Sequence, residues 1–202
     1  MDLLAPADLP TSGTVDVQLS TSSAAYPVYK LNMVPANPGL YRVPDPSNSS
    51  RSNAIAQFNG TIWLAMPASM TAALGLPACT SSTNALTQCG RPATEGDLLV
   101  LYVTGLGLAT PGGDPNGKPL PTGQVAPLSG SPLYQTPTMP AVTIGGVPVT
   151  QIYFSGLVPG FAGLYQIDVA VPSGIASGDD VPVVVTMAGQ SDTATISIQP
   201  RQ

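Results

Sequence analysis

Leu164-Tyr165-Gln166-Ile167-Asp168-Val169-Ala170-Val171 alternates by twos, with Tyr165, Ile167, Val169 and Val171 on one side and Gln166, Asp168 and Ala170 on the other. Successive side chains of an extended strand point to opposite faces, so this pattern lays an apolar row on a core and a polar row toward water. A strand wet on one side belongs to an antiparallel sheet, because parallel sheets are covered on both faces. Working outward, similar short runs fall at 15–19, 28–33, 53–58, 61–65, 97–104, 141–144, 149–154, 181–187 and 193–198. They are rich in β-branched or aromatic residues and are bounded by Gly, Pro, Asn or Ser. Pro (23) and Gly (21) supply turns, while a hydrophobic share of 43% is enough for a folded core. The expected fold is all-β, an immunoglobulin-like β-sandwich with Tyr102, Ile144, Tyr153, Tyr165, Ile167, Val169 and Val184 in its core.

Asn59-Gly60 between two of these runs predicts a hairpin on a type I′ turn, which needs positive φ at both central residues. Gly145-Gly146 predicts another. The helix candidate is Ser69-Met70-Thr71-Ala72-Ala73-Leu74, with Ser69 as N-cap and Gly75 as stop. So short a helix persists only if packed. Between Thr110 and Pro140, Pro and Gly recur without periodicity, which fits either a surface excursion or a functional loop.

Lys and Arg number 6 against 11 Asp and Glu, a net charge of −5, so there is no basic stripe to neutralise phosphates and nucleic acid is not an expected partner. No run reaches the ~18 apolar residues of a membrane helix, so membrane insertion is not expected. Met1-Asp2-Leu3-Leu4-Ala5-Pro6 lacks the basic and apolar regions of a signal peptide, which implies an export signal encoded upstream or a piece of a longer chain. Cys79 and Cys89 flank a polar loop. A disulfide there would stabilise by about 2–3 kcal/mol and imply oxidising surroundings; two free thiols are the alternative. With no histidine and no third cysteine, four-coordinate zinc lacks ligands, and no metal or cofactor is expected.

The chain also echoes itself. Residues 5–13 lead into Val15-Asp16-Val17-Gln18-Leu19, a Ser-rich turn and the run from Tyr26 to Met33; residues 171–178 lead into 181–187, a turn with Gly189, and 193–198. Residues 1–35 therefore read as the closing strands of a partial second sandwich, and 36–202 as a complete one with a Cys-containing insertion (63–91) and the Pro/Gly-rich loop (110–140).

The residues Leu101-Tyr102-Val103-Thr104-Gly105-Leu106-Gly107, Val142-Thr143-Ile144-Gly145-Gly146-Val147-Pro148, Phe154-Ser155-Gly156-Leu157-Val158-Pro159-Gly160-Phe161-Ala162-Gly163-Leu164 and Val169-Ala170-Val171-Pro172 follow one another in order. This set resembles the uncharacterised C-terminal domain family of large exported proteins of Solibacter-type Acidobacteria and, more distantly, is similar to IPT/TIG immunoglobulin-like modules. The resemblance implies a β-sandwich of an exported bacterial protein and carries no functional residues. The insertion at 63–91 and the partial leading unit depart from the family pattern.

Nucleophilic triads need a base, and histidine is absent; Ser–Lys chemistry would fall to Lys30 or Lys118, in a strand and a proline-rich loop. Glu95 with Asp97, and Asp179 with Asp180, are carboxylate pairs that could serve glycoside hydrolysis or simply solubilise turns. Asp114-Pro115-Asn116-Gly117 begins like a calcium loop, but its twelfth position is Val125. Phe161, Tyr134 and Trp63, with Tyr153, are candidate ligand-contact aromatics, since flat rings suit sugar faces; Trp63 and Tyr153 also read as core. Asn48 and Asn59 head glycosylation sequons. The expected function is a non-catalytic structural or adhesive module of a secreted or cell-surface bacterial protein, partnered by protein or extracellular polysaccharide. The alternatives are a carbohydrate-binding module and a subunit that self-associates by strand donation from residues 1–35.

Overall fold

The computed structural model describes residues 5–6 and 8–201; Met1 to Leu4, read above for a leader, lie outside the described residues with Ala7 and Gln202. In chain order the elements begin with β1 (Thr14–Val17), β2 (Tyr29–Asn32), β3 (Gly39–Leu40), β4 (Arg42–Pro44), β5 (Ser52–Ala54), β6 (Ala56–Phe58) and β7 (Leu64–Ala65). There follow α1 (Ala68–Ala73), β8 (Gly90–Arg91), β9 (Leu98–Thr104), β10 (Thr110–Pro111), β11 (Tyr134–Gln135) and β12 (Ala141–Ile144). The chain ends with β13 (Val147–Pro148), β14 (Ile152–Leu157), β15 (Tyr165–Ala170), β16 (Gly178–Met187) and β17 (Gln190–Ile198). Strand makes up 38% of the chain and helix 3%, an all-β sandwich.

Among the described residues, one sheet has nine strands in the order β10-β11-β14-β15-β9-β6-β7-β8, with β3 also on β9; a second has six, β13-β12-β16-β17-β5-β4; and β1 and β2 make a two-stranded ribbon apart from both. The inner rows of the two larger sheets interlock. Leu99, Leu101 and Val103 of β9 and Ile167 and Val169 of β15 meet Val142, Ile144, Val183, Val185 and Ile196 from the opposite sheet, all essentially without solvent contact. Burying each such side chain contributes about 1.5–3 kcal/mol, and the period-two pattern of 164–171 is what delivers one of those rows.

Two neighbouring crossovers tie the sheets together. The run 53–58 reads as one strand but divides at Ile55: β5 belongs to the six-stranded sheet and β6 to the nine-stranded one. Beside it, Tyr41 carries the chain from β3 to β4, and the Ile55 N–H donates to the Tyr41 carbonyl at 2.7 Å. A sequence pattern shows burial at Ala54, Ala56 and Phe58 but not which sheet each one pairs with.

Three expected core residues need correction. Val184 faces outward, half-buried, while Val181, Val183 and Val185 point inward. The run is apolar on both faces, so its phase is set only by pairing with β12 and β17. Tyr153 is 61% exposed because a register shift between Ile152 and Phe154 turns it out of the inner row. Tyr102 is half-buried on the outward face, between buried Leu101 and Val103. Ile144, Ile167 and Val169 are core as expected, and Tyr165 packs partly buried against it.

The local signals fare unevenly. Gly145 and Gly146 have φ of 60° and 79° and close β12 onto β13. At Asn59-Gly60 only Gly60 has positive φ, and the loop runs on to Trp63, whose carbonyl accepts the Phe58 N–H at 3.0 Å; the type I′ expectation fails there. The helix begins at Ala68 after Pro67 with no side-chain cap, so Ser69 is not its N-cap, while Gly75 with φ 70° does end it. The 110–140 segment leaves through β10 and returns through β11, and packs Ala126 and Leu120 onto Leu157 and Tyr165.

Candidate functional site

Residues 14–32 form a ribbon of their own. β1 and β2 pair with each other and with no other strand among the described residues. Val15 stands opposite Leu31 and Val17 opposite Tyr29, while Asp16 faces Lys30 and Thr14 faces Asn32. Alternation therefore sorts the ribbon into an apolar face and a polar one. The polar face closes on itself: Lys30 Nζ sits 2.7 Å from Asp16 Oδ1, and Thr14 Oγ1 donates to Asn32 Oδ1 at 3.3 Å. The apolar face is open along β2, with Tyr29 63% and Leu31 51% exposed, and Val15 and Val17 of β1 are half-buried beside them. A lone two-stranded ribbon is marginal in water, and this one leaves its apolar face and two strand edges without a ladder partner among the described residues.

The ribbon joins the sandwich at a cleft of about 340 Å³, walled by Leu9, Met33, Leu108, Leu120, Leu157 and Tyr165. Glycines make the joint. Gly105 and Gly107 have φ of 72° and 86°, and a Cβ on Gly105 would stand 2.0 Å from the Asn37 carbonyl oxygen. The Asn37 N–H donates to the Gly105 carbonyl at 2.8 Å. Tyr165, held by its hydroxyl donating to the Gly107 carbonyl, has its ionisation pushed up to about 12 by burial. It is an anchor, not an acid or base at neutral pH.

The charged groups latch strands. Arg51 donates through Nη1 to Asp45 at 2.5 Å and through Nε to Asp180 at 2.6 Å, joining the turn before β5 to β16. Burial opposes ionisation of Asp45, but the Ser47 hydroxyl and N–H together with Arg51 more than offset it and hold the carboxyl below its ordinary value. Arg51 lowers Asp180 likewise. Arg42 grips Asp192 at 2.7 Å, and Asp192 Oδ2 accepts the Leu40 N–H at 2.7 Å, which ties the first crossover to β17. Apart from the local Arg51–Asp45 pair, these links are not legible in sequence, since they join residues 129 to 152 positions apart.

The expected site residues are not brought together. Phe161, 54% exposed, tips the turn between β14 and β15, where its carbonyl accepts the Ala126 N–H at 3.1 Å. Tyr134 is half-buried on β11 in the small cluster around Leu157. Trp63 packs against the main core near β7, its Nε1 donating to the Asn84 carbonyl at 3.0 Å. Five strand spacings, about 24 Å, separate β11 from β7, so the three make no common platform.

Cys79 and Cys89 form a disulfide, and among the described residues there is no free cysteine. Asp97 is clasped by Arg91 at 3.0 Å and by Thr94 in a turn, so Glu95 and Asp97 do not share a strand face. Asp179 accepts from Ser197 and Asp180 from Arg51, which parts that pair too. Asp114 Oδ1 accepts the Asn116 N–H at 2.9 Å, closing its own turn. Among the described residues no group of three metal-ligating side chains converges, and no helix is long and apolar enough to cross a membrane.

The sequence does hold a signal for the ribbon: Val15-Asp16-Val17 and Tyr29-Lys30-Leu31 each alternate. What it omits is that the sandwich leaves this apolar row uncovered. Comparison of the chain with family models, with curated proteins and with solved structures finds no match.

Proposed function

We propose that this chain is a non-catalytic structural or adhesive module of a secreted or cell-surface bacterial protein. The observation that carries the reading is the amphipathic ribbon, whose apolar face of Val15, Val17, Tyr29 and Leu31 stands outside the sandwich core. The disulfide supports an oxidising, extracellular setting. Two arginines support it as well, since Arg42 ties β4 to Asp192 of β17 and Arg51 ties the turn before β5 to Asp180 of β16 without standing free as reactive groups.

The test is attachment. Beads coated with the chain should adhere to one another or to a film of protein or polysaccharide, and adhesion should persist after mild heating that leaves the sandwich folded. Beads that stay dispersed on every film would refute the reading. The same ribbon favours a second reading, strand donation between copies by residues 1–35. Light scattering separates the two: donation expects oligomers that Leu31→Lys dissolves, whereas a module that adheres only to other molecules is monomeric with or without the substitution.

A further inference from the structure

The outward face of the nine-stranded sheet carries a second surface, and strand register defines it. On β15, Gln166 and Asp168 face away from the core. Tyr102 stands opposite Gln166, and Val100 opposite Asp168, on β9. Gln57 of β6 stands opposite Val100, and Phe154 of β14 opposite Asp168. Tyr41 extends the row past Tyr102, to whose carbonyl its N–H donates at 3.0 Å. The next strand position along from Tyr41, Leu40, pairs with inward-facing Val103, which sets Tyr41 on the outer side.

This face is aromatic and polar at once. Tyr41 is 45% exposed, and Tyr102, Phe154, Gln57, Gln166 and Asp168 are all half-buried. The Phe154 ring lies down over Gly156, where an added Cβ would stand 2.9 Å from Cζ. The polar tips pair side by side: Tyr102 Oη donates to Gln57 Oε1 at 2.7 Å, and Gln166 Nε2 donates to Asp168 Oδ1 at 3.0 Å. Those bonds fix the amides in orientation and leave the Gln57 nitrogen as a donor and the Gln166 oxygen as an acceptor. Burial raises the ionisation of Asp168, and burial together with the Asp168 charge raises that of Tyr102, as expected for groups sharing one partly dry surface.

We propose that this face binds a neutral polysaccharide chain, with sugar rings lying on Tyr41, Tyr102 and Phe154 and hydroxyls exchanging hydrogen bonds with Gln57, Gln166 and Asp168. Sugar rings present C–H faces that suit aromatic planes, and their hydroxyls both donate and accept. From β3 across β9 and β15 to β14 is three strand spacings, about 14 Å, room for more than one ring. Charge selects the class. A chain of net charge −5 with a carboxylate in the middle of the face disfavours an acidic polymer. The proposal rests on the adhesive reading and names its target.

The experiment is retention of the whole chain on insoluble cellulose and chitin and in gels containing xylan or mannan, with alginate as the acidic counterpart. Binding to at least one neutral polymer is expected, weakened tenfold or more by Tyr41→Ala and by Gln166→Ala. Phe161→Ala and Leu31→Lys should leave it unchanged, since neither residue lies on this face. Thermal midpoints of all four variants establish that each is folded; if Gln166→Ala is not, Gln166→Glu, which keeps the size and loses the amide, takes its place. Retention on no neutral polymer, equal retention of parent and face variants, or preference for alginate would overturn the proposal. Beads that adhere to one another or to protein films while ignoring all four neutral polymers sink the glycan face and leave the adhesive reading standing; beads that adhere to nothing sink both.

Discussion

Reducing the Cys79–Cys89 bridge should lower the stability of the folded chain without moving its native structure. The bridge spans a sequence separation of 10. In the chain-entropy account, closing so short a loop restricts the unfolded chain by about 2.7 kcal/mol. The folded chain has little to gain by opening, because the loop is pinned independently. The Cys79 N–H donates to the Gly90 carbonyl at 3.0 Å, the Gly90 N–H to Pro77 at 3.1 Å, and the Ile62 N–H to Ala85 at 2.8 Å. Trp63 adds its indole bond to Asn84 at 3.0 Å. For a chain of this size about 2.7 kcal/mol corresponds to a fall in melting midpoint of about 5–11 °C. The assay is thermal unfolding followed by far-ultraviolet circular dichroism, with and without a phosphine reductant. Trp63, the single tryptophan, reports the loop directly by fluorescence. The midpoint should fall while the room-temperature emission of Trp63 stays put. A red-shifted emission in the reduced but still folded protein would show that the bridge holds the loop in the native state, and the unfolded-state argument would be refuted. A midpoint that does not move would refute it equally.

Val183→Thr should cost about 1–3 kcal/mol by burying an unpaired hydroxyl, whereas Val184→Thr, on the outward side, should stay within about 0.5 kcal/mol; urea unfolding of the pair checks the phase of β16, and equal costs would contradict it. Gly105→Ala places a Cβ 2.0 Å from the Asn37 carbonyl oxygen at a φ of 72°, so a loss of about 1–3 kcal/mol from strain is expected, read by the same method; a variant as stable as the parent would show that the joint relaxes. Asp45 and Asp180 are both held below their ordinary values when folded. Their contribution is therefore full above the unfolded carboxyl value of about 4 and drains away as pH falls through the lower folded values. Asp168, raised by burial, works the other way, its contribution being lost as pH rises. The urea midpoint should drop on acidification below that carboxyl value, and less steeply in Arg51→Gln; a parent and variant with parallel pH profiles would rule out the clasp as the cause.

The alternation of 164–171, the Gly145-Gly146 turn, the stop at Gly75 and the polar loop between the cysteines are local facts, written in residue order and legible there. They suffice for an all-β body, because period-two burial and positive φ depend only on a residue and its neighbours. The split at Ile55, the outward face of Val184 and the exposure of Tyr153 depend on which strands sit beside a run that is apolar on both sides or bulged, and a run cannot state its neighbours. For the same reason Trp63, which also reads as core in sequence, ends up five strands from Tyr134, while Phe161 lies near Tyr134 by Ala126, exposed at a turn where Tyr134 is half-buried. The surface that gathers aromatic and amide groups comes instead from β3, β6, β9, β14 and β15, whose order in the sheet departs from their order in the chain. Sequence alone determined the material of this protein, short amphipathic strands with a pair of cysteines flanking a polar loop, and the structure closed that pair into a disulfide. Only the tertiary structure decided which of their faces met, because burial is a property of the partner surface as much as of the strand, and so only it could show that the ribbon's apolar row is left open.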